Sequence, residues 1–292
     1  AEDGHEVIAG CGPGGPAVGG VARAARAVPL DVTRRESVDE FLADGGEAVV
    51  HLAGVASVRE ANADPARAWA VNAEGTARIA RRLVEIKRAG RADPLLLISS
   101  SGEVYVPCAG RPHVETDPVG PVAPYAASKL GAELAALEAW RSAGLRVVVA
   151  RAFPHIGPGQ HPSYWVARQV RVLLEAKRRR APVVTVGDLT AVRDFSHVDD
   201  VVDAYVALLA SGVPGEVYNV SSGEAVTLDL VLSKLEMLIG IHPLREVDAG
   251  EMRPDARPYH VGDAAKLRAA TGWRPRRTLG DTLRDVLDAR AD

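Results

Sequence analysis

Short apolar runs alternate with longer helical patterns along the first 150 residues. His5–Ala9, Ala27–Leu30, Ala48–Ala53, Leu95–Ser99 and Leu145–Ala150 are nearly unbroken apolar stretches. A strand covered on both faces has no polar side to alternate with, so these runs predict strands of a parallel sheet. Between them, Ser37–Ala43, Pro65–Ala89 and Pro124–Ala143 have helical spacing. Ser37 with Glu40 has the form of a capping box. Strands separated by helices of this length predict βαβ units and a doubly wound α/β sheet. After residue 151 Pro and Gly become denser, the strands Val183–Val186 and Glu216–Val220 stand alone, and helices such as Leu228–Ile239 are short. This predicts a smaller C-terminal α/β lobe on the carboxyl edge of the sheet, where open α/β sheets place their ligands. Residues 1–151 plus about 190–212 are then the dinucleotide-binding domain, and 152–189 plus 213–292 the substrate lobe.

The start of the chain departs from a dinucleotide fold, which opens with a strand, a glycine-rich turn and a helix. Gly10-Cys11-Gly12-Pro13-Gly14-Gly15 fits G-x-G-x-x-G after a strand, but Pro16-Ala17-Val18-Gly19-Gly20 is poor material for a first helical turn. The preferred reading makes Ala1–Gly4 the tail of a first helix and His5–Ala9 the second strand. The first strand and its glycine turn are then expected to lie outside the sequence given.

Composition narrows the class without choosing within it. A chain of 292 residues, 47% apolar and 25% charged with a net charge of −3, is that of a soluble globular protein. Its charge points to neither a nucleic-acid nor a membrane-surface partner. Lys177-Arg178-Arg179-Arg180 reads as a solvated helix end favoured by the macrodipole. Two cysteines, Cys11 and Cys108, argue against a disulfide framework. No apolar run reaches membrane-span length, so a cytoplasmic location is expected.

Candidate chemistry centres on Tyr125-Ala126-Ala127-Ser128-Lys129. On a helix, residues four apart share a face. An ammonium beside a phenol stabilises its anion, so the phenol can exchange a proton near neutral pH. Ser101, at a strand end, could hold a substrate oxygen beside it. These are the parts needed to move a proton on or off an alcohol or ketone while a nicotinamide moves the hydride.

Four segments in order resemble the extended short-chain dehydrogenase/reductase superfamily, the nucleotide-sugar epimerases, dehydratases and reductases, which have a Rossmann-type sheet. They are His51-Leu52-Ala53-Gly54-Val55 (H-L-A-A in the family), Val71-Asn72-Ala73-Glu74-Gly75-Thr76 (V-N-x-x-G-T), Ser99-Ser100-Ser101-Gly102-Glu103-Val104-Tyr105 (S-S-x-x-V-Y) and Tyr125 to Lys129 (Y-x-x-x-K). The resemblance implies Tyr125 as proton donor or acceptor, Lys129 as its support and a ribose ligand, and Ser101 as partner of the reacting sugar oxygen. Glu103 stands where the 4,6-dehydratases carry a glutamate base. Asp31 matches the position that contacts adenine, and Val32, Leu52, Ala53, Gly54, Asn72, Ser99, Phe153 and His155 join the implied cofactor site. Asp194, His197 and Asp200 resemble structural positions, and no metal site is implied.

Phe153 to Gln160 and Val186 to Phe195 resemble the GDP-4-keto-6-deoxy-D-mannose reductases, which carry F-N-H-I-G-P-G-Q and V-G-N-L-x-A-V-R-D-F. GDP-mannose dehydratases read N-H-E-S-P-R-R-G at the first segment. Arg193 and Arg253 match arginines that clamp the substrate diphosphate, a task suited to a planar, permanently charged fork. Pro154 departs from the family's Asn and removes both an amide and a backbone N–H from the substrate site. The resemblance thus implies a reductase of a nucleotide diphosphate 4-keto-6-deoxysugar, forming GDP-D-rhamnose from its 4-keto precursor, and a homodimer through a four-helix interface. NADP is favoured over NAD, because no acidic residue follows His5–Ala9 while Arg23 and Arg26 lie downstream. The alternatives are a 4-epimerase or 4,6-dehydratase on the same scaffold, or a non-catalytic nucleotide-binding protein.

Overall fold

The computed structural model describes residues 5–12, 25–108, 110–248 and 257–291. The chain divides into two compact units, 1–100 with 120–149 and 213–217, and 101–119 with 150–212 and 218–292. The first is built on parallel strands. Strand β1 (Val7–Cys11) pairs in parallel with β2 (Ala25–Pro29), and helix α1 (Arg35–Phe41) follows. Strand β3 (Ala48–His51) leads through α2 (Val58–Ala63) into a long helical stretch. That stretch is α3 (Pro65–Ala68), a π-helical segment (Trp69–Glu74) and α4 (Gly75–Arg88). Strand β4 (Leu95–Ser101), helix α5 (Pro124–Ala143) and strand β5 (Arg146–Ala152) complete it.

Strand β3 runs parallel to β4, with Ala48 opposite Leu95 and His51 opposite Ile98. Leu95, Leu96, Leu97 and Ile98 are all buried, as are Val147, Val148 and Val149, which explains why these runs show no alternation. Helix α5 opens on Pro124 at its first turn and ends at Gly144 with φ 66°, a left-handed cap that glycine adopts without strain. Against this sheet pack Val38, Ile79, Leu83 and Ile86 from α1 and α4. Ser37 is not a cap: the α1 N-cap is Arg34, and Ser37 Oγ instead accepts the Asp31 N–H at 2.9 Å from inside the helix.

The second unit begins with β6 (His155–Ile156), α6 (Trp165–Arg179) and β7 (Val183–Val186). Short strands β8 (Val192–Arg193) and β9 (Ser196–His197) lead into α7 (Val198–Ser211). Strand β10 (Val217–Val220) extends the main sheet, whose order is β10-β5-β4-β3. Then come β11 (Val226–Thr227), α8 (Leu228–Ile239), β12 (Leu244–Val247), β13 (Tyr259–His260), α9 (Ala265–Thr271) and α10 (Leu279–Ala291). Its core gathers Val166, Val170 and Leu173 of α6 with Val231, Leu232 and Leu235 of α8 and Leu283 of α10. The basic end of α6 is a helix end, closed by Arg180 at φ 54°.

The division differs from that expected chiefly at 101–119 and 190–212, while 150–151 and 213–217 also change units. Residues 190–212 belong to the second unit, because Asp200 on α7 accepts the Arg276 and Arg277 N–H groups and pairs with the Arg277 guanidinium at 2.8 Å. Residues 101–119 belong there too, since the His113 N–H donates to Val261 and the Asp263 N–H to His113. The expected tail of a first helix, Ala1–Gly4, and most of the glycine-rich stretch, from Pro13 on, lie outside the described residues. Among the described residues no helix is long and apolar enough to cross a membrane.

Candidate active site

The first unit assembles the Tyr–Lys pair around the ends of β3 and β4. Both residues lie on α5, and Lys129 Nζ donates to the Ser99 carbonyl at 2.8 Å. Burial lowers the Lys129 pKa to about 8, while the nearby Glu133 carboxylate holds it up. Glu133 itself accepts from Ser100 Oγ. His51, buried at the end of β3, has its pKa lowered to about 3 by burial and then by the Lys129 charge, so it stays neutral. Tyr125 packs against the small cluster of Val55, Ala61 and Ala68, and its carbonyl accepts from Ser128 Oγ at 2.8 Å.

Asn72 links these pieces. It is 2% exposed, its Oδ1 accepts the Val55 N–H at 2.8 Å, and its Nδ2 donates to the Val55 carbonyl and Ser128 Oγ. An amide used up in this way is a brace between the strand end and α5 rather than a surface for a cofactor. The π-helical segment that carries it is the kind of local widening that often marks functional sites. Gly54 explains itself sterically: a Cβ there would lie 2.9 Å from Asn72 Oδ1 and 3.3 Å from Lys129 Nζ.

Residues expected around a dinucleotide fall into two groups. Leu52, Ala53 and Gly54 are exposed beyond the buried His51, leaving a length of open backbone beside Lys129. Those features fit a nicotinamide dinucleotide, which needs bare backbone to approach and an ammonium for its ribose. Asp31 is half-buried, and its Oδ1 accepts from the Thr33 N–H at 2.9 Å and hydroxyl at 2.6 Å, which lowers its pKa. Val32 is buried and packs in the core. Ser99 contributes the carbonyl that holds Lys129. Arg26 is exposed on β2, whereas Arg23 lies outside the described residues.

In the second unit, Ser101 Oγ accepts the Glu103 N–H at 3.2 Å and so caps the 3₁₀ turn Gly102–Val104. Glu103 is held by Arg257, a residue that no motif in the sequence singles out. The Arg257 Nε lies 2.7 Å from Glu103 Oε2, Nη1 donates to the Tyr105 carbonyl at 2.8 Å, and Nη2 donates to the Glu103 carbonyl at 2.6 Å. Arg257 is only 5% exposed. His260 stands behind, its Nε2 3.8 Å from Glu103 Oε1 and its pKa pushed down by burial and by Arg257.

The loop after β5 is held by its own backbone. The Pro154 carbonyl accepts from the Ser196 N–H at 3.0 Å, His155 Nδ1 lies 3.1 Å from the Phe153 carbonyl, and Gln160 Nε2 donates to the His155 carbonyl at 2.9 Å. Phe153 is 1% exposed and stacks among Tyr105, His113 and His260, so its ring serves the core. Arg193 is half-buried with Nη1 on the Val192 carbonyl at 2.8 Å, and Arg253 lies outside the described residues. Asp194 is fully buried and accepts from the Ser222 N–H and hydroxyl and the Gly223 N–H, a structural part.

Comparison with known proteins places the chain in a family. The NAD dependent epimerase/dehydratase family matches residues 3–221. GDP-6-deoxy-D-mannose reductase of Pseudomonas aeruginosa is 38% identical over 261 residues, 88% of this chain and 84% of that protein. Among solved structures, RMD from Pseudomonas aeruginosa complexed with NADPH superposes with a TM-score of 0.82 at 33% identity, covering 93% of this chain and 92% of that one. The dTDP-glucose 4,6-dehydratase DesIV from Streptomyces venezuelae, in a double mutant with NAD bound, gives 0.82 at 25% identity, covering 93% and 81%.

Proposed function

This chain belongs to the NAD dependent epimerase/dehydratase family, the extended short-chain dehydrogenase/reductase enzymes, and from that membership we propose that it reduces the 4-keto group of a nucleotide diphosphate 6-deoxysugar. The substrate read from the His155–Gln160 loop and from the similarity to GDP-6-deoxy-D-mannose reductase is GDP-4-keto-6-deoxy-D-mannose, and the product GDP-D-rhamnose. NADPH is the favoured cofactor, with NADH as the lesser option; when bound it supplies the hydride. Leu52, Ala53, Gly54 and Lys129 would hold it. Tyr125 delivers a proton to the sugar O4. Lys129 keeps a positive charge beside that phenol below about pH 8. The Ser101 hydroxyl donates to the same oxygen, and Arg193 meets the diphosphate.

One observation favours reduction over 4,6-dehydration. A dehydratase needs a glutamate free to take a proton from carbon, and here the Glu103 carboxylate is committed to a buried guanidinium at 2.7 Å. The backbone N–H of the same residue donates to Ser101 Oγ at 3.2 Å and shapes the turn that carries Ser101. The test is an assay of purified protein with NADPH and GDP-4-keto-6-deoxy-D-mannose, following cofactor absorbance and identifying the product sugar. Absence of NADPH oxidation would overturn the reductase reading. Oxidised cofactor retained through purification, with turnover that consumes none, would assign the protein to the epimerases or dehydratases instead. We further propose a homodimer formed by α4 and α5 of two copies.

A further inference from the structure

The turn that carries Ser101 is held by a residue far away in the sequence. Ser101 Oγ accepts the Glu103 N–H at 3.2 Å. A hydroxyl has one proton and two lone pairs, so this bond leaves the O–H to donate to a substrate oxygen. The hydroxyl takes its aim from the Glu103 amide, and whatever fixes the turn Gly102–Val104 therefore fixes the hydroxyl. The Tyr105 N–H closes that turn on the Gly102 carbonyl at 3.3 Å. A three-residue 3₁₀ turn has poor hydrogen-bond geometry of its own and takes its position from its neighbours.

Packing supplies one wall. A Cβ at Gly102 would come within 2.8 Å of the Phe153 ring and 3.0 Å of the His260 ring, so the backbone lies directly on both. Arg257 supplies the other. Its guanidinium meets the Glu103 carboxylate at 2.7 Å and donates to the Glu103 and Tyr105 carbonyls, on either side of Val104. Carbonyls at the end of a helical turn lack partners within it, and a planar fork can take two of them together with a carboxylate. Arg257 is in turn anchored on the strand that carries Arg193. The Pro258 carbonyl accepts the Val192 N–H at 2.8 Å, β13 runs parallel to β8 with His260 opposite Arg193, and the His260 carbonyl accepts the Asp194 N–H at 3.1 Å. A hydrogen-bonded path thus runs from Arg193 through β13 and Arg257 to Ser101.

We propose that Arg257 is a positioning residue for the reduction: it holds the Ser101 hydroxyl at a fixed reach from β8, and so sets the span between diphosphate and reacting sugar oxygen that the site accepts. This rests on the roles proposed above for Ser101 and Arg193. The substrate is anchored at one end by Arg193 and met at the other by Ser101. A loosened turn leaves the diphosphate bound and lets the hydroxyl drift, and a misplacement of about 1 Å is enough to cost about 10²-fold in rate. The loss falls on kcat rather than on KM for the cofactor, because Leu52, Gly54 and Lys129 belong to the other unit.

Arg257→Lys keeps the charge and loses the fork, and two measurements read the result. Amide hydrogen exchange is followed by peptide mass in the folded protein. The peptide spanning 101–105 should exchange at least about tenfold faster in the variant while that of α5 stays unchanged, a contrast that a general loss of stability would not give. In the reductase assay the variant should lose about tenfold or more in kcat, with KM for NADPH unchanged. The same substitution in a Ser101→Ala background should cost less than about twofold, because a residue that acts through Ser101 then has nothing left to position. If Arg257→Lys does not fold, Glu103→Gln should show the same pattern in weaker form, since it loosens the grip and keeps the Glu103 amide. Losses that simply add across the two substitutions, or a 101–105 peptide that exchanges as in the wild type, would overturn the proposal. A wild type that oxidises no NADPH fails the reductase reading instead, and the exchange result still decides whether Arg257 holds the turn.

Discussion

Lys129 sits where burial and the Glu133 carboxylate pull against each other, and burial prevails, to about pH 8. A lysine whose folded pKa lies below its ordinary 10.5 is charged only under that value, so its support for the Tyr125 phenol is lost as pH rises through about 8. The reductive kcat/KM should therefore decline across that range; a flat profile up to about pH 9.5 would refute the role given to this ammonium. Tyr125→Phe keeps the ring against Val55 and Ala61 and removes only the hydroxyl. It should lower kcat by about 10²–10⁴-fold with little change in melting temperature. Arg257→Gln is the opposite kind of change. It strips a buried partner from Glu103 and two backbone carbonyls, so unfolding should show a loss of about 3 kcal/mol. Arg257→Lys cannot span the three acceptors and should recover only part of it. Tyr125 and Lys129 were legible because one helix fixes their spacing. Arg257 and Glu103 are 154 positions apart, and no local pattern announces such a pair.

Helices and strands were most readable where a terminal residue has a single conformational use. Pro124 opening α5 and Gly144 closing it put both bounds at the residues expected, and Thr227 with Gly240 do the same for α8. The capping box at Ser37 failed because the Asp31 N–H, from the preceding turn, claimed the hydroxyl. The stretch from Pro65 to Arg88 was legible as a helix, but not its π-helical segment, which shows only in three dimensions through the contacts of Asn72. Asp194, between β8 and β9, makes a prediction at this scale. Burial outweighs its four hydrogen bonds, from the Ser222 hydroxyl and the Ser222, Gly223 and Gly262 N–H groups, and raises its pKa from 3.8 to about 6. A carboxyl that binds its proton more tightly when folded adds stability that is full below pH 3.8 and lost as pH rises through 6, about 3 kcal/mol in all. The melting temperature of the wild type relative to Asp194→Asn should therefore fall between about pH 4 and 7. A difference that is constant over that range would show that the buried carboxyl titrates normally.

The alternation of strands and helices was enough to give the α/β class, because parallel strands must be covered on both faces and reveal it in unbroken apolar runs. The division into units was less legible, since segments 101–119 and 190–212 are claimed by hydrogen bonds to distant partners such as Val261 and Arg277. The proposed homodimer belongs to this scale, and the first unit holds a surface that would suit it. Trp69 and Leu134 are 44% and 58% exposed, and with Ala73, Ala77, Leu130 and Gly131 they line an almost wholly apolar groove on the π-helical segment, α4 and α5. Gly131 makes the groove deep: a Cβ there would come within 2.7 Å of the Trp69 ring. Large exposed apolar side chains gathered on two packed helices are costly to leave in water, and a two-fold axis lets the same patch cover itself. Sedimentation velocity should give a species of about twice 30.8 kDa for the wild type. Leu134→Arg sets a charge on each side of the axis, like facing like, and should yield monomer with its far-ultraviolet dichroism intact. A wild type that sediments as a monomer at micromolar concentration would leave this groove without the partner assigned to it.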